Sequence, residues 1–384
     1  MASSPIVTLS YQDLLNFKND KNDEKSQLLI NQVGQAYGAS GLGILTVSGI
    51  PGFSELRQRL LPLAAKIPKL PPDELAKCIS EESHYSTGWS HGKEELTPGV
   101  PDLSKGSFYV NPLVNDLCQA MLERDNHRDP EDLKKLAQEN PSFFAPNIFP
   151  DSMPDLEPAV ADMGQCVAKV GRWIARVADA YCERHGVEAH LEASLTHSLN
   201  CKGRLLHYFA PKEEPIQAQT NNNDEWWCGW HNDHGSLTGL VPAMYLTDQE
   251  GKELPTSPDP KAGLYIQSRA KELVKGNLPS DCMGFQIGET FQILTGGLLQ
   301  ATPHAVKQAS SSVAVTRETF AVFMEPEFEF PMTLPPNRTI EDCCKDDQVN
   351  QSLKLNSIKS RWKPGMNFGT FHNVTVQGFL TNSD

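Results

Sequence analysis

The spacing of apolar residues changes near residue 195, from a helical period to an alternating one. Ahead of that point Val160, Met163, Val167, Val170, Ile174, Val177 and Tyr181 recur at alternating intervals of three and four. They draw one apolar stripe down a long helix that follows Pro154 and ends at Gly186, as expected of a helix lying against a large surface. A second helix is predicted through Leu28, Leu29, Val33 and Ala36, capped by Asn22 or Asp23 and closed by Gly38 and Gly41. GILTVSG then reads as a strand. Phe53–Leu61 reads as a helix that can run past Pro62 until PKLPP stops it.

Beyond residue 195, GRLLHYF, GLVPAMYL, GLYIQS, GFQIGETFQIL, ATPHAVKQ and TRETFAVFME are strand-length runs separated by Gly, Pro, Asn or Ser. Many short strands divided by turns predict a sandwich or barrel, jelly rolls included. Glu213–Glu225 reads as a solvated loop, and one helix is expected around Asp346–Ile358 in the polar tail. The chain is therefore read as α+β: a helical region at 1–194 with a few strands joining the core, a strand-rich core at 195–332, and a helical and loop extension at 333–384.

Charge and cysteine content narrow the partners. The net charge is -14 and no run of Lys or Arg stands out, so neither nucleic acid nor an anionic membrane is the expected partner. MASSPIVTLSYQDLL lacks the basic start and apolar stretch of a signal peptide, and no window has the apolar length of a membrane span. The nine cysteines are scattered without a C-x-x-C and read as reduced, small buried side chains. A cytoplasmic monomer acting on a small molecule is the expectation.

The candidate chemistry centres on GWHNDHG, residues 229–235. On a strand, His231 and Asp233 point one way while Asn232 and His234 point the other. Two ligands are too few for a tight metal site, and His304 in QATPHAVKQ can be brought alongside by a neighbouring strand. Two imidazoles and one carboxylate on one face of an octahedron leave three positions open, which suits non-haem Fe(II) and oxygen chemistry. Zinc accepts the same ligands, and an isolated H-x-D also fits an ordinary loop pair.

TRETFAVFME adds a second element by placing Arg317 and Thr319 on one strand face with Ala321 and Phe323. A buried arginine requires an anion. A dicarboxylic co-substrate held by the guanidinium fork and a hydroxyl would supply it; an internal pair with Glu289 or Glu325 is the competing reading. Trp226 and Trp227 read either as a pocket roof or as a structural aromatic pair, and His207 as a satisfied core histidine. His84, His91 and His372 are expected on the surface or in loops.

With these residues assembled, the sequence resembles the Fe(II)- and 2-oxoglutarate-dependent oxygenases, in the branch of isopenicillin N synthase and the soluble plant-type enzymes. HNDHGSLTGL is similar to that branch's H-x-D-x-G-x-L-T-x-L signature, and GFQIGETFQILTGGLLQATPHAVKQ to the run that ends in the second histidine. TRETFAVFMEPE resembles its R-x-[ST] strand, and GRLLHYFAP the strand whose tyrosine follows a basic residue by four, here Arg204 and Tyr208. Upstream, YGASGLGILTVSGIPG and FAPNIFPDSMPDLEPAV also match, so the resemblance spans about residues 5–332.

The resemblance implies a double-stranded β-helix core of the jelly-roll, cupin-like kind. It implies His231, Asp233 and His304 as iron ligands, and Arg317 with Thr319 binding the distal carboxylate of 2-oxoglutarate, assisted by Tyr208. The implied reaction hydroxylates, desaturates or cyclises a small organic substrate, consumes O2, and releases succinate and CO2, with ascorbate as a candidate accessory. Three departures stand out: Leu206 occupies the place of a usual asparagine, HYFAP at residues 207–211 stands where a double-proline turn is usual, and Ser310–Ser312 lengthen the gap between His304 and Arg317. An Fe(II) oxidase of the same fold that does not use 2-oxoglutarate, and a non-catalytic ligand-binding jelly roll, are the alternatives.

Overall fold

The computed structural model describes residues 6–97, 100–210, 226–247, 250–309, 315–345 and 357–380. The loop expected at Glu213–Glu225, the turn at Ser310–Ser312 and nearly all of the helix expected at Asp346–Ile358 lie outside these residues.

Fifteen strands are described: β1 (Val7–Ser10), β2 (Ile44–Ser48), β3 (Gly88–His91), β4 (Glu95–Thr97), β5 (Val100–Pro101), β6 (Lys105–Val110), β7 (Cys201–Tyr208), β8 (Trp226–His231), β9 (Leu237–Thr247), β10 (Glu253–Leu254), β11 (Gly263–Gln267), β12 (Leu273–Lys275), β13 (Met283–Ile287), β14 (His304–Lys307) and β15 (Val315–Met324). The larger sheet runs β1-β2-β13-β9-β15-β7-β6-β3, with β10 beside β9; the smaller runs β12-β11-β14-β8. Leu206 and Tyr208 of the larger sheet pack with Trp227 and Val306 of the smaller, so an apolar layer closes the space between them. The result is a double-stranded β-helix with helices on its outer side, an α+β chain.

The apolar stripe forms the helix Leu156–Arg184, and Gly186 follows it at a φ of 69°. This helix lies under β9 and β15. Close approach depends on Gly239, where an added Cβ would meet the Val167 side chain at 2.1 Å. The helix Glu24–Tyr37 is capped by Asp23, whose carboxylate accepts from the Ser26 amide at 2.9 Å. The helix from Phe53 continues through Pro62 to Ala64.

Pro242 lies inside β9, in a central strand that proline would ordinarily interrupt. The β9–β15 register slips between Glu318 and Phe320, opposite this point. The carbonyls of Pro242 and Ala243 turn instead to buried Arg57, at 2.9 and 2.7 Å. The irregularity thus absorbs the missing amide.

GFQIGETFQIL, expected as a strand, divides into β13 and a short helix, Glu289–Leu294. The cause is tertiary. After β13, the amides of Gly288, Glu289 and Thr290 donate to the carbonyls of Ser236, Asp233 and Gly235 at 2.9, 2.8 and 3.1 Å. Those donors leave the sheet ladder, and the chain coils. Gly288 permits the approach, since a Cβ there would sit 2.1 Å from the Gly235 carbonyl oxygen.

A second apolar cluster joins Leu117, Phe143 and Phe144 from the first half to Trp362, Phe368 and Phe371 from the C-terminal extension. The extension is thereby seated against the core. Among the described residues none of the nine cysteines forms a disulfide, and no helix is long and apolar enough to cross a membrane.

Candidate metal centre

β8 ends at His231 and β14 begins at His304, and the two residues face each other across the antiparallel pair. Their rings lie 4.2 Å apart, centroid to centroid. Asp233 follows just beyond the end of β8, and its Oδ1 is 3.7 Å from Nε2 of both histidines. Ligand-competent atoms of all three residues fall within 4.8 Å of one another. The sequence pattern placed His231 and Asp233 together by strand alternation. Here the strand has already ended, and the turn of residues 232–235 brings the carboxylate round.

Each side chain is oriented by a neighbour. His231 Nδ1 donates to the Gly229 carbonyl at 2.8 Å, and His304 Nδ1 faces the Thr302 carbonyl at 3.3 Å. A carbonyl only accepts, so Nδ1 of each ring carries a proton and Nε2 is the atom turned toward the centre. Burial lowers His231, but Cys228 and Asp233 outweigh it and raise it to about 9, so metal ligation displaces the proton from its Nε2. Thr238 donates to Asp233 Oδ2 at 2.6 Å, leaving Oδ1 for the cluster. Burial raises the Asp233 carboxyl, but His304, His231 and the Thr238 hydroxyl outweigh it and hold the group below its ordinary value. Burial, followed by the nearby His231, pushes His304 down to about 4. A buried carboxylate and a neutral imidazole are the protonation states that metal ligation requires.

Arg317 sits on β15 opposite Tyr208 of β7, with its guanidinium 4.9 Å from the Tyr208 ring centroid. The residue is 7% exposed, and its Nε and Nη1 have no hydrogen-bond partner among the described residues. The internal acids weighed as partners are engaged elsewhere. Glu289 pairs with Arg361 at 2.7 Å, and Glu325 accepts from Asn200 at 3.0 Å. Thr319 is buried nearby on β15, but its hydroxyl already donates to the Val241 carbonyl at 2.7 Å.

Several residues take places that the sequence did not show. His372, expected on the surface or in a loop, is 4% exposed and bonded to His234 across 2.9 Å, because the C-terminal helix folds back onto the core. His91, expected likewise, closes β3 instead and is half-buried. His207 is a buried partner of Glu318 at 2.9 Å, whereas His84 is exposed. Trp227 is fully buried against Tyr208, while Trp226 contacts Trp230 and Tyr265 instead. Thr238, which orients Asp233, stood inside the quoted HNDHGSLTGL stretch. A short polar residue five positions after a carboxylate was the available signal.

No protein-family model matches the chain. A Dictyostelium discoideum protein described as a probable iron/ascorbate oxidoreductase is 23% identical over 378 residues, covering 93% of this chain and 92% of its own length. A full-length Neurospora crassa protein, crystallised in complex with alpha-KG and thymine, superposes with a TM-score of 0.62 at 17% identity, covering 97% of each chain. A Caulobacter crescentus protein of the 2OG-Fe(II) oxygenase family superposes at 0.63 and 15% identity, covering 98% of this chain and 100% of its own. The fold of this chain is the double-stranded β-helix of the 2OG-Fe(II) oxygenases.

Proposed function

We propose that the protein is a non-haem Fe(II)- and 2-oxoglutarate-dependent oxygenase of a small organic substrate. The observation that carries this reading is the Arg317 guanidinium, without an anion among the described residues and buried in the same interior as the His231–Asp233–His304 cluster. A metal-ligand triad alone fits several chemistries. A buried cation without an anion is costly, and a carboxylate entering that interior removes the cost.

In this reading His231, Asp233 and His304 hold Fe(II), which supplies O2 activation with 2-oxoglutarate as the electron donor, giving succinate and CO2. Arg317 binds the distal carboxylate of 2-oxoglutarate, while the Tyr208 ring fixes the plane of the guanidinium. Thr319 contributes less, because its proton is committed to Val241. Asp233 stays ionised, and the two Nδ1–carbonyl contacts hold both imidazoles in the ligating tautomer. The apolar layer of Leu206, Trp227 and Val306 excludes water from this end of the interior.

Anaerobic titration tests the reading. Fe(II) and 2-oxoglutarate together should produce a visible absorption band in the wild type. A metabolite extract should then yield a fraction that perturbs this band and supports succinate formation in air. Iron binding without any response to 2-oxoglutarate would favour the Fe(II) oxidase that takes its electrons from substrate or ascorbate.

A further inference from the structure

Next to the first cluster lies a second set of metal-competent side chains: His234, Glu325 and His372 also bring ligand atoms within 4.8 Å of one another. His234 directly follows Asp233, Glu325 directly follows β15, and His372 belongs to the C-terminal helix Phe368–Leu380. His234 Nε2 and His372 Nδ1 are 2.9 Å apart, a hydrogen-bond distance at which one ring donates and the other accepts. Arg361 and Lys202 place positive charge near His234, offset in part by Asp233, and each ring already spends a nitrogen on the other. A neutral hydrogen-bonded pair satisfies both observations.

A parallel contact comes from the same extension. Arg361 donates to Glu289 Oε1 at 2.7 Å, and Asn232 Nδ2 donates to that same oxygen at 3.3 Å. Asn232 and His234 flank Asp233 in the chain. Thr290, one residue after Glu289, closes the connection by donating to the His234 carbonyl at 2.6 Å. The residues on both sides of the central carboxylate are thus held, directly or through Glu289, by the last described segment of the chain.

We propose that the C-terminal extension is a positioning element for the metal centre, with His372 as its key residue. It fixes the turn that presents Asp233 Oδ1 to His231 and His304. The proposal rests on the reading of those three residues as the metal ligands. An aligned carboxylate binds metal more tightly than one free to swing, so loss of the clamp weakens affinity with every ligand still in place. Changes to groups that orient metal ligands typically cost about 10- to 100-fold in affinity.

The test is Co(II) binding to the full chain, read by calorimetry and by the visible ligand-field spectrum. His372→Phe keeps an aromatic ring against Phe143, whose centroid lies 5.4 Å away, but removes the hydrogen bond. It should weaken Co(II) binding about tenfold and alter the spectrum, while the metal-free melting temperature shifts by less than about 3 °C. His372→Asn, which offers an amide near the Nδ1 position, should recover most of the affinity. Arg361→Gln attacks the second contact and serves if His372→Phe does not fold; it should also weaken Co(II) binding.

Wild-type affinity and spectrum in whichever of these variants folds would overturn the clamp. So would two Co(II) ions per wild-type chain, one of them lost in His372→Phe, since the second cluster would then be a metal site. A wild-type chain that binds no Co(II) would remove the metal reading itself, and the clamp with it.

Discussion

Arg204 on β7 and Arg317 on β15 both face the space between the sheets, yet their surroundings differ. Arg204 donates to Glu94 at 2.5 Å and to Ser107 at 3.0 Å, and Glu94 also accepts from Tyr109 at 2.9 Å. Lys105 adds a contact to Glu94 at 3.2 Å and pairs with Asp102. That network is balanced, with two cations facing two carboxylates. Arg317 has an aromatic face beneath it and no anion among the described residues. Two residues of one type thus have opposite functional weight: the satisfied arginine is architecture, and the unsatisfied one identifies what the interior is built to receive.

Asp233→Ala should have the largest effect. It removes the only carboxylate of the triad and should abolish iron binding and turnover; activity that survives would end the metal assignment. The two arginines should then separate cleanly. Arg317→Met should weaken 2-oxoglutarate binding about 100-fold, or about 3 kcal/mol, with the melting temperature unchanged or raised. Arg204→Met should do the reverse, costing about 1 kcal/mol of stability through the lost bonds to Glu94 and Ser107, while Lys105 and Tyr109 still hold the part-exposed Glu94. Equal effects of the two substitutions on 2-oxoglutarate affinity, measured by calorimetry, would erase the distinction.

His372 extends the comparison to a group satisfied by remaining neutral. Burial first, then the proximity of His234 and Lys202, lowers it well below the ordinary 6.5. Above pH 6.5 neither the folded nor the unfolded chain binds this proton. Below it only the unfolded chain does, so stability falls as pH falls, by up to about 1.4 kcal/mol per pH unit. Wild type should therefore lose more melting temperature than His372→Phe between about pH 7.5 and about pH 5.5; parallel curves would refute it. Thr319→Val should have the smallest effect, less than about threefold on 2-oxoglutarate affinity, since the hydroxyl proton goes to Val241. A much larger loss would show the hydroxyl turning toward the ligand.

Local pattern made much of this molecule readable. The seven-residue stripe of the long helix, the Asp23 cap and most strands after residue 195 depend on neighbours within a few positions. His231 and Asp233 could be paired by alternation even though β8 stops at His231, because the turn that follows keeps the two side chains on the same side. Glu289–Leu294 was not readable as a helix, since its coiling answers to carbonyls some fifty residues earlier in the chain. His372 resembled a loop residue because nothing near it in sequence announces its contact with His234.

By itself, then, the sequence determined the identity of the candidate ligands, the change from helical to alternating periodicity, and the presence of an arginine on the same strand face as Thr319. Each is a property of residue type and short-range spacing. Tertiary structure alone decided which charges were already paired. Whether Arg317 meets Glu289, Glu325 or neither depends on where Arg361 and Asn200 have placed those acids. The reason is physical: hydrogen-bond capacity belongs to a residue, but its use belongs to whatever the fold brings within about 3 Å.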